Sequence, residues 1–139
     1  MMVETYDIKL STGGDDDTVD ITDQVQGFVD QSGIRDGIVT VFIPGSTGGI
    51  TTIEYEPGVV TDLKELLDRI IPGGRRYKHD RAWGDGNAHS HMRSALIGPS
   101  ITVPVAGGSL TLGTWQQIVF IDFDNRSRSR KLVVNIIGE

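Results

Sequence analysis

Glycine sets the grain of this chain. Eighteen of its 139 residues are glycine, and between them lie short runs rich in Val, Ile and Thr. Such runs suit a pleated strand and are too brief for long helices. "GIVTVFI" (Gly37–Ile43) is β-branched and bounded by glycine and proline, the pattern of a buried strand. "ITTIEY" (Ile50–Tyr55) alternates and forms a second. "ITVPV", "SLTLGTW", "QQIVFIDF" and "KLVVNIIG" supply more, divided by Gly107-Gly108 and by Asp124-Asn125. Pro104 lacks an amide hydrogen for a ladder, which places its strand at an edge or a bulge.

Helical spacing is rarer. In "ITDQVQGFVDQSG" Val25, Phe28 and Val29 share a face, with Thr22 or Asp20 as N-cap and Gly33 as the stop. In "GVVTDLKELLDRIIPGG" Leu63, Leu66, Leu67 and Ile70 make one apolar stripe, Thr61 is placed to cap, and Pro72-Gly73-Gly74 ends it. A third, short helix is expected after Asn87, packed by Met92, Ala95 and Leu96 and stopped at Gly98-Pro99. The acidic "STGGDDDTVDITDQ" lacks the alternating ligands and closing glutamate of a calcium loop, so it is expected to be a turn segment. These elements predict one α+β domain over residues 1–139, dominated by antiparallel sheet, with two or three helices.

Composition narrows the function. The chain has no cysteine, which excludes disulfides, thiolate catalysis and thiolate metal sites. No apolar run approaches the ~18 residues of a membrane span, and "MMVETYDIKL" lacks the basic and apolar regions of a secretory leader. A cytoplasmic location is the expectation. The net charge of −6 argues against a nucleic-acid partner. The cations are nonetheless clumped: Arg75, Arg76, Lys78 and Arg81 in "GGRRYKHDR", and Arg126, Arg128, Arg130 and Lys131 in "NRSRSRK". Each clump reads either as a solvated turn or as a local attraction for a small anion.

All three histidines, His79, His89 and His91, fall within thirteen residues, beside Asp80, Asp85 and Asn87. His-x-His invites a metal, since neutral imidazole is a common ligand. On a strand His89 and His91 would point the same way; on a helix they lie about 200° apart and could hardly share an ion. The helix expected here separates them. "PGSTGG" (Pro44–Gly49) could offer backbone N–H groups to a phosphate, but it has neither the ending of a P-loop nor dinucleotide-site spacing. Glu54 is a candidate acid–base carboxylate, Trp115 a core residue or ligand platform, and Gln116 an amide for a polar ligand.

"YKHD", "DGNAHSHMRSALIGPSITVPVAGGSLTLGTWQQIVFIDFD" and "VVNIIGE" closely resemble the YjbQ-like proteins, described as secondary thiamine-phosphate synthases. The similarity continues through "ITDQV" and "SGIRDGIVTVFIPGSTGGITTIE", and runs from about residue 5 to Glu139. The resemblance implies a sandwich-like arrangement of the sheets and assembly as a homotrimer. It also implies a histidine-lined pocket holding a divalent metal (zinc, nickel or magnesium) or an anion such as phosphate. The implied activity joins a pyrimidine diphosphate to a thiazole phosphate and releases pyrophosphate. His79, His91, Asn87, Glu54, Trp115 and Gln116 match characteristic family positions, and His89 belongs to a "GNxHSH" form.

One position departs. Where the family reads Pro-His-Thr-Thr/Ser-Ala, this chain reads Pro44-Gly45-Ser46-Thr47-Gly48, so a glycine replaces an expected histidine. The combined expectation is therefore His79, His91 and Glu54 as catalytic residues. Ser46, Thr47, Asn87, Arg93, Trp115 and Gln116 are expected to contact a phosphorylated ligand, and His79, His91 and His89 to hold any metal. The inherited activity is expected to be impaired; the alternative is a non-catalytic trimer binding a metal ion or a small phosphorylated molecule.

Overall fold

The computed structural model describes all residues, Met1–Glu139. Two antiparallel sheets face each other, confirming the α+β expectation. The larger sheet contains β1 (Met2–Thr12), β8 (Arg128–Gly138), β3 (Gly37–Phe42), β5 (Ser100–Ala106) and β6 (Ser109–Leu110), in that spatial order. The smaller contains β2 (Asp17–Asp20), β7 (Gln117–Asp122) and β4 (Gly48–Ile53). Four helices complete the chain: α1 (Thr22–Ser32), α2 (Pro57–Ile70), α3 (Lys78–Trp83) and α4 (Ala88–Ile97).

Strand alternation explains the layers. On β7, Ile118 and Phe120 point toward the larger sheet, where they meet Val39, Val41, Val103, Leu132, Val134 and Ile136. Their neighbours Val119 and Ile121 point the other way and, with Phe123, pack against Leu67 and Leu63 of α2 and Ile97 of α4. The order is thus large sheet, small sheet, helices. Helix α1 closes the sandwich with Val25 and Val29, while Phe28 stacks on Tyr6 with ring centroids 4.6 Å apart.

Several expectations change here. No strand is expected before Gly37, yet β1 pairs with β8 over its whole length, from Met2 opposite Gly138 to Thr12 opposite Arg128. The acidic segment is only partly a turn, since it contains β2 and its Asp16 is buried. Helices number four rather than two or three, because α3 carries no apolar stripe to announce it. Helix α2 is capped by Glu56, whose carboxylate accepts from Gly58 and Val59 N–H, rather than by Thr61. Pro104 is on the strand next to the edge rather than on the edge itself, since the two-residue β6 lies outside β5. β6 pairs with β5 only at Val105 and Ala106, and beyond it the Pro104 carbonyl accepts from the Thr111 N–H and hydroxyl, so no ladder bond needs the amide hydrogen that proline lacks.

The "NRSRSRK" clump is only partly solvated: Arg126 and Lys131 are exposed, but Arg128 and Arg130 turn to internal carboxylates. Arg130 lies inside the sandwich, where Nε and Nη2 donate to the two Asp122 carboxylate oxygens, each at 2.8 Å. The pair joins β8 of one sheet to β7 of the other. Thr12 of β1 donates to the same carboxylate, and Arg130 Nη2 also donates to Thr47 Oγ1 at 2.7 Å. Arg128 pairs with the buried Asp124 at 2.8 Å. Burial alone would raise the Asp122 pKa, but the bonds from Arg130, Thr12 and the Asp124 N–H outweigh it and hold the carboxyl below its ordinary value.

Two predictions follow from this packing. A Cβ at Gly48 would come within 2.6 Å of the fully buried Phe120 ring, so Gly48→Ala should cost about 1–3 kcal/mol in denaturant unfolding. Asp122→Asn should cost about 3–5 kcal/mol at pH 7, because it leaves Arg130 buried without its counter-charge. A depressed folded pKa adds stability above the unfolded value of 3.8, and that stability is lost as pH falls through the folded value. The variant's unfolding free energy should therefore fall less steeply than the parent's below about pH 4, and parallel acid limbs would contradict the assignment.

Candidate functional site

Helices α3 and α4 build the site by sharing one aspartate. Asp80 Oδ2 accepts the Tyr77 N–H at 3.2 Å at the start of α3, and its Oδ1 accepts the Ala88 N–H at 3.1 Å at the start of α4. Tyr77 is held in turn by its hydroxyl, which donates to the Pro72 carbonyl at 2.8 Å. Gly84, at φ 70°, terminates α3 and lets the chain reverse. Helix α4 is fastened to the small sheet's end by Ser90, which donates to the Phe123 carbonyl, and by Ser94, which donates to the Gly48 carbonyl at 2.6 Å.

This arrangement brings His79 and His91 edge to face, with ring centroids 4.8 Å apart. His91 Nδ1 lies 3.0 Å from the Ser46 carbonyl. A carbonyl only accepts, so Nδ1 carries the hydrogen and Nε2 presents a lone pair. His79 has a different environment. With the Asn87 NH2 turned toward Asp85, it donates to both carboxylate oxygens at 3.1 Å and lies 3.2 Å from His79 Nε2. Neutral His79 then accepts at Nε2 and keeps its hydrogen on Nδ1. Protonated His79 faces Asp85 Oδ1 at 3.4 Å. In their neutral forms both imidazoles thus carry the hydrogen on Nδ1; His91 leaves Nε2 without a protein partner, whereas His79 Nε2 is engaged by Asn87.

Both border a cavity of about 650 Å³ lined by Arg75, Arg76, Lys78 and Arg81 along with Tyr77, Ala88 and Met92. None of these four cations takes part in an ion pair. Arg75 lies over the Tyr77 ring, 5.3 Å from its centroid. In a protein of net charge −6, this is a local concentration of unneutralised positive charge above an apolar floor. The rim is the first basic clump, read from the sequence either as a solvated turn or as an attraction for a small anion, whereas Asp80 and Asp85 have no expected role of their own. Their signals, Asp85 beside Asn87 and the "RRYKHDR" run, are present in the sequence.

The other expected residues lie elsewhere. His89 turns to another flank of α4 and packs on Gly73, so the three histidines do not converge. Arg93 is buried, its guanidinium taken by Asp16, Asp68 and the Ile71 carbonyl. The Thr47 hydroxyl is likewise used internally, between Arg130 and Asp124, whereas Ser46 is exposed beside His91. Glu54, Trp115 and Gln116 stand at the opposite end of the small sheet, where Ile53 pairs with Gln117 and Trp115 is 71% exposed. Strand β4 alone separates that end from Ser46 by roughly 17 Å. Gln116 there donates to Thr52 Oγ1 at 3.0 Å.

Gly45 lies in the loop between β3 and β4 at φ 134°, and a Cβ there would sit 3.7 Å from Arg130 Nη1. The position of the expected third histidine is therefore bounded by a guanidinium. No three carboxylate or imidazole groups converge anywhere in the chain to hold a metal. Two imidazoles without a third protein ligand do not fit a resident zinc.

The comparisons agree with this architecture. The family described as "UPF0047 protein YjbQ-like" matches residues 6–139. A UPF0047 protein of Archaeoglobus fulgidus is 40% identical over 131 residues, covering 94% of this chain and 99% of that one. The UPF0047 protein YugU of Bacillus subtilis is 36% identical, covering 99% and 100%. Among solved structures, a YbjQ-like protein of unknown function from Sulfolobus solfataricus superposes with a TM-score of 0.94 at 36% identity, covering 99% of each chain. A YjbQ/UPF0047 protein from Clostridium acetobutylicum gives 0.87 at 41%, covering 95% and 99%. Sequence, fold and length coincide over essentially the whole molecule, and the chain belongs to the YjbQ-like UPF0047 family.

Proposed function

We propose that the basic cavity binds a small phosphorylated molecule and that His79 and His91 act on it as a proton donor and acceptor. The carrying observation is the set of four unpaired cations around two imidazoles in edge-to-face contact, one beside a carboxylate and one held by a carbonyl. Its volume of about 650 Å³ lies within the usual range for small-ligand sites, and Ala88 and Met92 offer an apolar surface for the body of such a ligand. Arginine and lysine at the rim bind phosphate oxygens by charge-assisted bonds. His91 Nε2 receives a proton, and His79, steadied by Asp85 and Asn87, supplies one.

The finer reading implied by the family resemblance is thiamine-phosphate-synthase-like transfer. In that reaction the thiazole nitrogen forms a C–N bond with the pyrimidine's methylene carbon as the C–O bond to diphosphate breaks. Pyrophosphate leaves with both electrons of that bond. The rim cations favour it by stabilising the departing charge. Self-assembly as a homotrimer belongs to the same proposal. Val3, Ile38 and Phe42 supply apolar surface for it on the uncovered outer face of the large sheet.

The test is calorimetric titration of inorganic pyrophosphate into the protein at fixed salt. Arg75→Ala and Lys78→Ala should each weaken binding several-fold. His91→Ala should alter the pH dependence of binding while leaving the fold intact. Unchanged affinity in all three variants would remove the cavity from consideration. The metal-binding alternative has its own test in Gly45→His. If the site is an impaired three-histidine centre, this variant purifies with stoichiometric zinc. The positive φ and the neighbouring Arg130 favour the other outcome: no bound zinc and a loss of about 1–3 kcal/mol in stability.

A further inference from the structure

Helix α4 reverses the usual arrangement of a surface helix. A helix packed on a sheet ordinarily buries its apolar side chains and shows its polar ones. Here the buried residues are Ser90, Arg93 and Ser94 with the small Ala88, while Met92, Ala95 and Leu96 are exposed. Met92 is 38% exposed and Leu96 59%. The sequence spacing expects these three to pack the helix. They face outward because Ser90 and Ser94 take the sheet side, donating to the Phe123 and Gly48 carbonyls. The flank toward α2 is occupied as well, where His89 and Arg93 border a small acidic cavity with Asp15, Asp16 and Asp68.

The outward residues are ordered. Side chains four apart on a helix lie one above another, so Ala88, Met92 and Leu96 form a row with Ala95 beside it. At 1.5 Å per residue that row runs about 12 Å. Its first two members line the basic cavity, and Leu96 stands one turn beyond them. The cavity lining is divided in the same sense. All four cations come from the segment Arg75–Arg81, whereas Ala88 and Met92 come from α4. Positive charge therefore borders one end of an apolar row that no other part of the chain covers.

The chemistry of the row selects its occupant. A membrane-surface helix carries a cationic face, but α4 has no lysine and its single arginine is buried. A second copy of the chain needs about 800 Å² on each partner for a stable interface, far more than Met92 and Leu96 expose. A ligand anchored in the adjoining cavity needs neither. We infer that the row holds the hydrocarbon tail of the molecule whose phosphate groups meet the rim, a diphosphate ester of an extended aliphatic or isoprenoid alcohol. This rests on the phosphate reading of the cavity and adds the class of molecule that carries the phosphate. Tail and row leave water together, and each methylene fully buried strengthens binding about fourfold.

The test is calorimetric titration of inorganic pyrophosphate, dimethylallyl diphosphate and geranyl diphosphate into the whole protein at fixed salt. Affinity should rise along that series, with geranyl diphosphate at least about tenfold tighter than pyrophosphate. Geraniol, which has the tail without the charge, should bind far more weakly than its diphosphate. Leu96→Ser alters an exposed side chain outside the phosphate-contacting set. It should remove most of the geranyl gain, and pyrophosphate, which has no tail, should bind as to the parent. Equal affinity for all three diphosphates would overturn the tail site while leaving the phosphate reading standing. No binding of any of the three would remove both. A geranyl gain that persists unchanged in Leu96→Ser and in Met92→Ser would also overturn the inference. So would a fall in assembly mass on Leu96→Ser by light scattering, which would assign the row to a contact between copies. Co-sedimentation of the ligand-free protein with phosphatidylglycerol vesicles, lost in Leu96→Ser, would assign it to a membrane instead.

Discussion

The buried Arg130–Asp122 pair is the constraint on which the functional end of this molecule rests. It crosses the sandwich, since Arg130 belongs to the large sheet and Asp122 to the small one. Hydrophobic burial holds the two sheets together but does not fix one laterally against the other. A bidentate guanidinium–carboxylate contact does, because its two bonds are directional. Thr12 adds β1 to the same carboxylate, and Thr47 ties the β3–β4 loop to the same guanidinium. That loop carries Ser46, whose carbonyl fixes the tautomer of His91. The electronic state of a pocket imidazole is therefore set through a chain of contacts that begins inside the sandwich. A charge pair of this kind is weak evidence for net stability; what it contributes here is position.

Helix α4 carries that position to two cavities with different linings. Its ten residues divide three ways around the axis. Ser90 and Ser94 reach the small sheet, Ala88, His91 and Met92 border the basic cavity, and His89 and Arg93 border the acidic one. At 3.6 residues per turn, positions two apart lie about 200° apart, so His89 and His91 serve different neighbours. This also explains why the helix is poorly amphipathic by sequence. A helix with three kinds of contact cannot carry a single apolar stripe.

Much of this was legible from local pattern. The β-branched segments, the stripe of α2, the stop at Gly33 and the separation of His89 from His91 all depend on periods of two or 3.6 residues. Strand β1 carries the same signal in Tyr6, Ile8 and Leu10 alternating with Thr5, Asp7 and Lys9, but its many polar residues mask it. Helix α3 was not legible, since it is six mostly charged residues held by the hydrogen bonds of Asp80. Arg130 looked like surface because arginine usually is. Its partner sits in another sheet, and no spacing rule relates Asp122 to it. The same limit applies to Arg93, whose carboxylates are 77 and 25 residues away. Family likeness grouped Glu54, Trp115 and Gln116 with the histidines, and within one chain they occupy opposite ends of a strand.

The glycine at position 45 acquires a physical meaning from these contacts. A third imidazole there would stand close to Arg130 Nη1, beside a cavity already ringed by four cations. Bringing a divalent ion into that field would add repulsion at every contact, whereas an anion would be attracted at every contact. Without a side chain at 45, the free edge of the Arg130 guanidinium remains unobstructed on that side. Charge therefore separates the two readings where ligand counting alone does not. Two histidines could begin a metal site, but the surrounding guanidinium and ammonium groups would repel the ion, which favours the anion reading proposed above. The rim cations repel one another, and an anion bound among them as proposed would relieve that repulsion.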